Sequence, residues 1–112
     1  MKATFVHEGG SIDYTPGAAV AAGDVVVQGE LVGIARTAIT ASALGSLAVH
    51  GVFDFAKATG ADTAITAGAN VCWDAALQQA TTNAAAGVNK LIGKAVKAAA
   101  DADATVRVRL NQ

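Results

Sequence analysis

Val106-Arg107-Val108-Arg109-Leu110-Asn111 is the stretch of sequence that decides the fold class. Large aliphatic residues alternate strictly with polar residues over these six positions. In an extended chain successive side chains point to opposite faces, so one face of the stretch is apolar and the other carries two arginines. The pattern predicts a half-buried β-strand whose arginines, Arg107 and Arg109, either lie in solvent or meet the carboxylates of a partner.

Similar patterns recur upstream of this strand. Glycine, Asp and Asn residues divide the chain into short segments that are rich in β-branched or alternating residues. Residues 25–28 and 31–35 are separated only by Gly29-Glu30, which predicts a strand pair. In residues 46–55 the odd-numbered side chains, from Leu47 to Phe55, share one face and predict a core-facing side. Further strands are predicted at residues 3–7, 11–15, 70–74, 77–81 and 91–98, the first two joined as a hairpin through Glu8-Gly9-Gly10.

The alanine-rich region 74–104 is the part where helix competes with strand. Intrinsic propensity favours helix there, but Gly87, Gly93 and the Thr81-Thr82-Asn83 cluster interrupt it, and no apolar stripe runs through it at helical spacing. We predict a turn at residues 99–103 and at most a short helix, within 56–61 or 75–86. The expected fold is therefore all-β, a small barrel or sandwich of short antiparallel strands.

Length and composition predict a single β domain over residues 1–112. The chain has one proline, Pro16, and no Ser/Gly-rich spacer. Because 28 of its residues are alanine, its large side chains build only a thin core, and many small apolar residues remain for the surface or a subunit interface. Trp73, the only tryptophan, is predicted to anchor the core or an interface. Residues 1–7 form either an edge strand or a free arm.

Charge and hydropathy exclude several classes of partner. Eight Lys and Arg residues against nine Asp and Glu give a net charge of −1, and only 15% of residues are charged. Nucleic-acid binding requires clustered positive charge, so no direct nucleic-acid partner is expected. The longest uncharged stretch, residues 37–53, is broken by polar residues, so no membrane partner is expected either. The N-terminus does not resemble a signal peptide, and Cys72, the only cysteine, suits the reducing cytoplasm.

No motif predicts catalytic, cofactor-binding or metal-binding residues. The segment 87–95 fails as a P-loop, because five residues separate its two glycines and Ala95 stands where a hydroxyl would hold magnesium. Three further residues could in principle act as nucleophiles or metal ligands, but their spacing matches neither kind of site: His7, His50 and Cys72. We therefore expect a protein that is not an enzyme and that has no cofactor.

A series of short phrases occurs in order along nearly the whole chain. After an N-terminal strand that ends in a Glu-Gly turn come Ala22-Gly23-Asp24-Val25-Val26, Leu31-Val32-Gly33-Ile34-Ala35, Gly51-Val52-Phe53-Asp54-Phe55-Ala56-Lys57, Gly68-Ala69-Asn70-Val71-Cys72-Trp73-Asp74, Leu91-Ile92-Gly93-Lys94-Ala95 and Ala104-Thr105-Val106-Arg107-Val108-Arg109-Leu110-Asn111. In this order the phrases resemble a family of tailed-phage capsid decoration, or cement, proteins, whose members also carry the labels domain of unknown function and predicted phage recombinase. Cys72 and Ala56 depart from the family's usual aromatic residue and proline.

The resemblance implies a structural virion protein without catalytic residues. Such a protein forms homotrimers, binds the major capsid protein on the outer surface of the mature head at local threefold positions, and stabilises the head after synthesis in the bacterial host cytoplasm. Six residues are candidates for contact with the capsid or with a neighbouring copy: Ala3, Thr4, Phe5, Val6, Arg107 and Arg109.

Two other functions remain open from the sequence. One is a nucleic-acid-binding or ATP-dependent accessory protein of phage recombination, which the recombinase label suggests and which the failed P-loop and the absence of a basic face oppose. The other is a cellular β-barrel interaction module with no viral role.

Overall fold

The structure, a computed structural model, describes residues 2–111, and over this range the chain is all-β. The strands are β1 Ser11–Tyr14, β2 Val25–Gln28, β3 Leu31–Ile34, β4 Gly45–Ala48, β5 Gly51–Ala56, β6 Asn70–Asp74, β7 Gln79–Thr81, β8 Lys90–Ala95 and β9 Thr105–Leu110, and a 3-10 helix spans Ala85–Gly87. They form one four-stranded sheet, in the order β1-β4-β3-β2, and one five-stranded sheet, in the order β5-β9-β8-β6-β7. All of these strand pairs are antiparallel.

The strand predicted from the alternating C-terminal stretch is confirmed as β9. It pairs with β5 over six consecutive positions, from Gly51 opposite Leu110 to Ala56 opposite Thr105. The valines and the leucine of β9 are buried, and its two arginines are exposed. The two-residue alternation of apolar and polar side chains therefore places one face of the strand in the core and the other in solvent.

The two sheets pack face to face as a sandwich around the main core. The four-stranded sheet contributes Val32 and Ile34, which meet aromatic and aliphatic residues of the five-stranded sheet such as Phe55, Trp73 and Ile92. A smaller cluster lies on the other face of the four-stranded sheet. Its buried members are Ala35, Ile39 and Leu47, with Ile12, Tyr14, Val20 and Val26 packed against them.

The five-stranded sheet curls until its two outer strands approach each other. Lys57, directly after β5, forms an isolated parallel bridge with Ala80 of β7. The sheet thereby acquires partial barrel character at this one point, because the edges that would otherwise stay apart are joined by backbone pairing.

The predicted N-terminal hairpin is wrong. Residues 2–7 form no strand, and β1 pairs instead with β4, with Ser11 opposite Ala48 and Tyr14 opposite Gly45. The reason is burial: beside β4, Ile12 and Tyr14 pack against the smaller core cluster, a gain that local pairing with an exposed segment could not give.

Other boundaries differ from the predictions in smaller ways. Residues 46–55 belong to two strands in different sheets, with Val49 and His50 between them and Gly51, the first residue of β5, at a φ of 122°. Phe55 lies in the main core, as predicted. The single core-facing side is wrong for β4, because Leu47 packs in the smaller cluster on the other face of the sheet, while Ala48, from the even-numbered face, lies in the main core. The strand predicted at 77–81 begins only at Gln79, and the one predicted at 91–98 is Lys90–Ala95. Of the two regions in which a short helix is predicted, 75–86 contains only the start of the 3-10 helix Ala85–Gly87, and 56–61 contains no helix.

Gly93 allows β8 to approach β9 closely at an irregular point in the sheet. Gly93 pairs with Val71, and Leu91 pairs with the next residue, Cys72, so β8 carries one extra residue there. This is a β-bulge. A Cβ atom added at Gly93 would overlap the backbone carbonyl oxygen of Arg109, a neighbour that cannot rotate away.

We expect Gly93→Ala to lower the free energy of unfolding by about 2–3 kcal/mol, because β8 and β9 would have to separate locally. Urea denaturation followed by circular dichroism measures the change. Gly17→Ala is the matched control, since a Cβ at exposed Gly17 meets no atom within 4 Å and should change stability by less than about 0.5 kcal/mol. Equal stability of the two variants would contradict the close approach.

Candidate functional site

The six predicted contact residues lie in two different parts of the fold. Four of them, Ala3 to Val6, belong to the N-terminal segment, defined as residues 2–7, and the other two project from β9. The N-terminal segment is exposed throughout. Phe5 and Val6 are 79% and 81% exposed, an unusual state for adjacent large apolar side chains. Met1, part of the predicted arm, lies outside the described residues.

The N-terminal segment joins the body near one end of β9. The carbonyl oxygen of Gly10 accepts a hydrogen bond of 3.1 Å from the backbone N–H of Val49. Val49 lies two residues before Gly51, and Gly51 pairs with Leu110 at the end of β9. The root of the segment is therefore at the end of the five-stranded sheet that carries Arg109.

Arg107 and Arg109 share an outer sheet face that points away from the core. We define this face by the exposed residues that alternate with buried ones on β5, β9 and β8 and by Asn70 of β6. Val96 continues it beyond β8, since its N–H bonds to the carbonyl oxygen of Arg107 at 2.9 Å. Its members are Val52, Asp54, Ala56, Asn70, Leu91, Lys94, Val96, Thr105, Arg107 and Arg109.

Arg107 has its counter-ion within the chain. Asp54 lies directly opposite on β5, and the guanidinium donates to both carboxylate oxygens, with Nε at 2.9 Å from Oδ1 and a terminal nitrogen at 3.2 Å from Oδ2. This hydrogen bonding to Arg107 lowers the pKa of Asp54 below its ordinary value, and the positive charges of Arg107 and Lys97 act in the same direction. Both side chains are about half exposed, so the pair is a surface feature of modest strength.

Arg109 has a different environment. It lies directly opposite Lys94 of β8 on one side and Val52 of β5 on the other. Lys94 donates to Oδ1 of Asn70 at 2.6 Å, a neutral acceptor. In the described part of the chain, the ion pairs are Lys90 with Glu30 and Arg107 with Asp54, so neither Arg109 nor Lys94 has a carboxylate partner there.

Lys57 is a buried, hydrogen-bonded lysine that the sequence did not single out. It is only 6% exposed, and its ammonium donates to three oxygens: the carbonyls of Ala58 (2.7 Å) and Asp103 (3.1 Å) and the hydroxyl of Thr63 (3.3 Å). Asp101 adds a second tie, because its Oδ1 accepts from the backbone N–H groups of residues 63 and 64 at 3.1 and 2.8 Å. The loops 58–64 and 100–104 are thus held together around one buried cation.

Lys57→Met should lower the free energy of unfolding by about 2–4 kcal/mol, since three partly buried oxygens would lose their donor while the volume stays similar. The urea midpoint by circular dichroism is the measurement. Lys97→Met, which removes an exposed lysine, is the control and should shift stability by less than about 0.5 kcal/mol. A neutral Lys57→Met variant would show that the three hydrogen bonds contribute little.

Concave regions lie beside Lys57, beside the Asp54–Arg107 pair and between the sheets. A groove of about 190 Å³ runs along Asp54, Arg107 and Asp103. A cleft of about 210 Å³ lies between the sheets and is lined by apolar side chains, among them Phe53 and Trp73. Trp73 is 4% exposed, as predicted for a core anchor, and its Nε1 has no hydrogen-bond partner among residues 2–111.

The residues considered for chemistry are not assembled into a reactive site. His7 and His50 are exposed, whereas Cys72 is buried, and burial raises the pKa of its thiol. A thiol with a raised pKa is a poor nucleophile near neutral pH. Over residues 2–111 no three His, Cys, Asp or Glu side chains come together in a way that could hold a metal ion.

The failed P-loop segment is a strand entered through a turn. Lys90, at the start of β8, donates to the carbonyl of Gly87 at 2.7 Å and to Glu30 at 3.1 Å. Its charge is already engaged by these oxygens. Within the range that the structure covers, no helix has the length and apolar character needed to span a membrane.

The Asp54–Arg107 pair predicts a specific titration. We expect the Asp54 carboxyl to titrate below about 3.9, the value for an unfolded aspartate, in carbon-detected NMR. Its contribution to stability is present above that unfolded pKa and is lost as the pH falls through the lower folded pKa. Arg107→Gln should raise the Asp54 pKa, while Arg36→Gln should not. An unchanged Asp54 titration in Arg107→Gln would contradict this assignment.

Comparison with known proteins gives one match. A family model described as phage cement protein matches residues 6–110. The match covers both sheets and begins at Val6, so Ala3, Thr4 and Phe5 precede it. No curated protein and no solved structure matches the chain.

Proposed function

Because the chain belongs to the phage cement protein family, we propose that it binds the major capsid protein on the outside of the mature head as a trimer and stabilises the shell. The family match over residues 6–110 is the observation that carries the proposal. It supports a structural role in the virion, and the all-β sandwich with its exposed contact surfaces is compatible with that role. The local threefold positions of the head are the proposed sites.

A trimer suits this role for physical reasons. Three linked copies bind three neighbouring capsid subunits at high effective concentration, so that weak individual contacts add up to tight binding. Binding that is selective for the mature shell stabilises that shell by mass action. The excess of alanine in the chain supplies small side chains that allow backbones to approach closely at such contacts.

The N-terminal segment is the proposed capsid-binding arm. Its backbone is outside both sheets, and its Phe5 and Val6 side chains are almost fully exposed. An extended segment of this kind can add as a strand to the edge of a sheet in another protein, with main-chain hydrogen bonds giving affinity and alternate side chains filling pockets. Phe5 is the largest apolar group it can bury.

The proposed function requires no chemical step, cofactor, nucleic acid or membrane. The buried Cys72 thiol and the engaged Lys90 ammonium support this view, since each is poorly placed for the reaction that its residue type could perform. Synthesis in the bacterial host cytoplasm before addition to the head is part of the same proposal. ATP hydrolysis, or DNA retention that falls steeply with salt, would contradict it.

Cosedimentation with purified mature heads tests the arm. We expect deletion of residues 2–6 to leave a folded trimer, by circular dichroism and native mass spectrometry, that no longer cosediments with heads. Phe5→Asp should weaken head binding by about 10- to 100-fold, because a carboxylate would be buried without a partner.

Leu44→Asp is the matched control, since Leu44 is an exposed leucine far along the chain from the arm, and it should bind heads like the wild type. Full head binding after the deletion would refute the arm. Unfolding of the deletion variant would show that the segment is part of the folded body.

A further inference from the structure

We propose that the row formed by Val52, Arg109 and Lys94 on the outer sheet face binds the acidic loops of a second copy of this chain. The acidic loops are residues 58–64 and 100–104, which carry Asp62, Asp101 and Asp103. The inference deepens the proposed trimer by naming the two surfaces that meet.

The row is electrostatically incomplete in a single chain. Arg109 and Lys94 are directly opposite each other across β9 and β8, and like charges in this position destabilise a sheet. The neighbouring position on β9 shows the contrast, because Arg107 has Asp54 opposite it and is neutralised. The sheet therefore neutralises the charge of Arg107 with Asp54, whereas the charges of Arg109 and Lys94 remain available to carboxylates of another chain.

The surroundings of the row favour a protein surface over small ions. Val52 of the row is 55% exposed, and two further exposed aliphatic side chains share the outer sheet face with the row: Val96 (47%) and Leu91 (41%). Aliphatic groups next to a pair of cations form a mixed surface in which burial excludes water and strengthens the charge contacts.

Charge complementarity identifies the partner as a second copy. The outer sheet face carries three cations and one carboxylate, a net charge of +2, whereas the whole chain has −1, so the remainder carries −3. The acidic loops hold three of the carboxylates outside that face. Asp101 and Asp103 also accept backbone N–H bonds within the loops, whereas Asp62 accepts none from residues 2–111, so Asp62 is the one that we expect to contact the cations most directly. The two acidic loops are also held in a fixed arrangement, because hydrogen bonds of the Lys57 ammonium and the Asp101 carboxylate link them to each other.

The two surfaces occupy different ends of the same strand. The loop 100–104 leads into β9 at Thr105, while Arg109 lies next to the strand's last residue. A contact between them joins two different surfaces of the chain, which is the kind of contact that a three-membered ring requires.

Charge reversal and rescue test the inference in solution, without heads. At low ionic strength, about 0.05 M NaCl, we expect native mass spectrometry and sedimentation velocity to show wild-type trimers that weaken as salt rises to about 0.5 M. K94E/R109E should weaken self-association by about 100-fold or more. R36E/K2E makes the same change in net charge at exposed cations elsewhere and should remain trimeric. Lys94→Glu alone should also weaken the trimer, and adding Asp62→Lys to it should restore the trimer.

Four outcomes would overturn the inference. They are a monomeric wild type at low salt, a K94E/R109E variant that stays trimeric, loss of the trimer in R36E/K2E, and failure of Asp62→Lys to rescue while the variant remains folded by circular dichroism. If K94E/R109E stays trimeric but no longer cosediments with heads, the row contacts the capsid, and the proposed function stands without this inference.

Discussion

The pairing of β5 with β9 is the interaction on which the rest of the structure depends. Six consecutive antiparallel pairs fix which side chains point inward, and with them the core of the five-stranded sheet. The same register sets Asp54 opposite Arg107 and Val52 opposite Arg109, so it also decides the charge pattern of the outer sheet face. The register of β5 with β9 therefore decides both which side chains enter the core and which form the outer sheet face. A shift of this register by one residue would turn the core side chains toward solvent and the outer ones toward the core.

Lys57 extends this alignment beyond the sheet. It follows β5 directly, pairs with Ala80 at the opposite edge, and turns its ammonium toward backbone carbonyls of two loops. The ammonium is stabilised by two carbonyl oxygens and a hydroxyl oxygen, which are neutral acceptors. Its donors are thus satisfied without a buried ion pair. Loops that contain many alanines and few large side chains thus obtain their order from polar contacts, because the core cannot supply it.

The sequence predicts those parts of the fold that depend on local pattern. The alternation in β9 and the adjacency of β2 and β3 follow from period and turn residues, and both are confirmed. Trp73 is predicted from its side-chain type to anchor the core or an interface, and it is buried in the core. The partner of β1 is not local, since pairing with β4 depends on an apolar surface formed far along the chain. Lys57 has three acceptors that only the fold brings together, and the opposition of Lys94 and Arg109 depends on the register of β8 with β9, which no spacing rule reveals. The sequence therefore identifies the candidate contact residues by residue type and expected exposure. The different surroundings of Arg107, which faces Asp54, and Arg109, which faces Lys94, follow only from the strand register.

The burial of Trp73 has an optical consequence. It is the only tryptophan in the chain, lies in the interior with its ring centroid 6.0 Å from that of Phe55, and belongs to β6, which pairs with β8 on one side and β7 on the other. Its fluorescence therefore comes from one position in an apolar setting, away from the N-terminal segment and the outer sheet face. Emission from this residue reports the integrity of the sandwich interior by itself, so loosening of the fold can be separated from changes in what the surface binds.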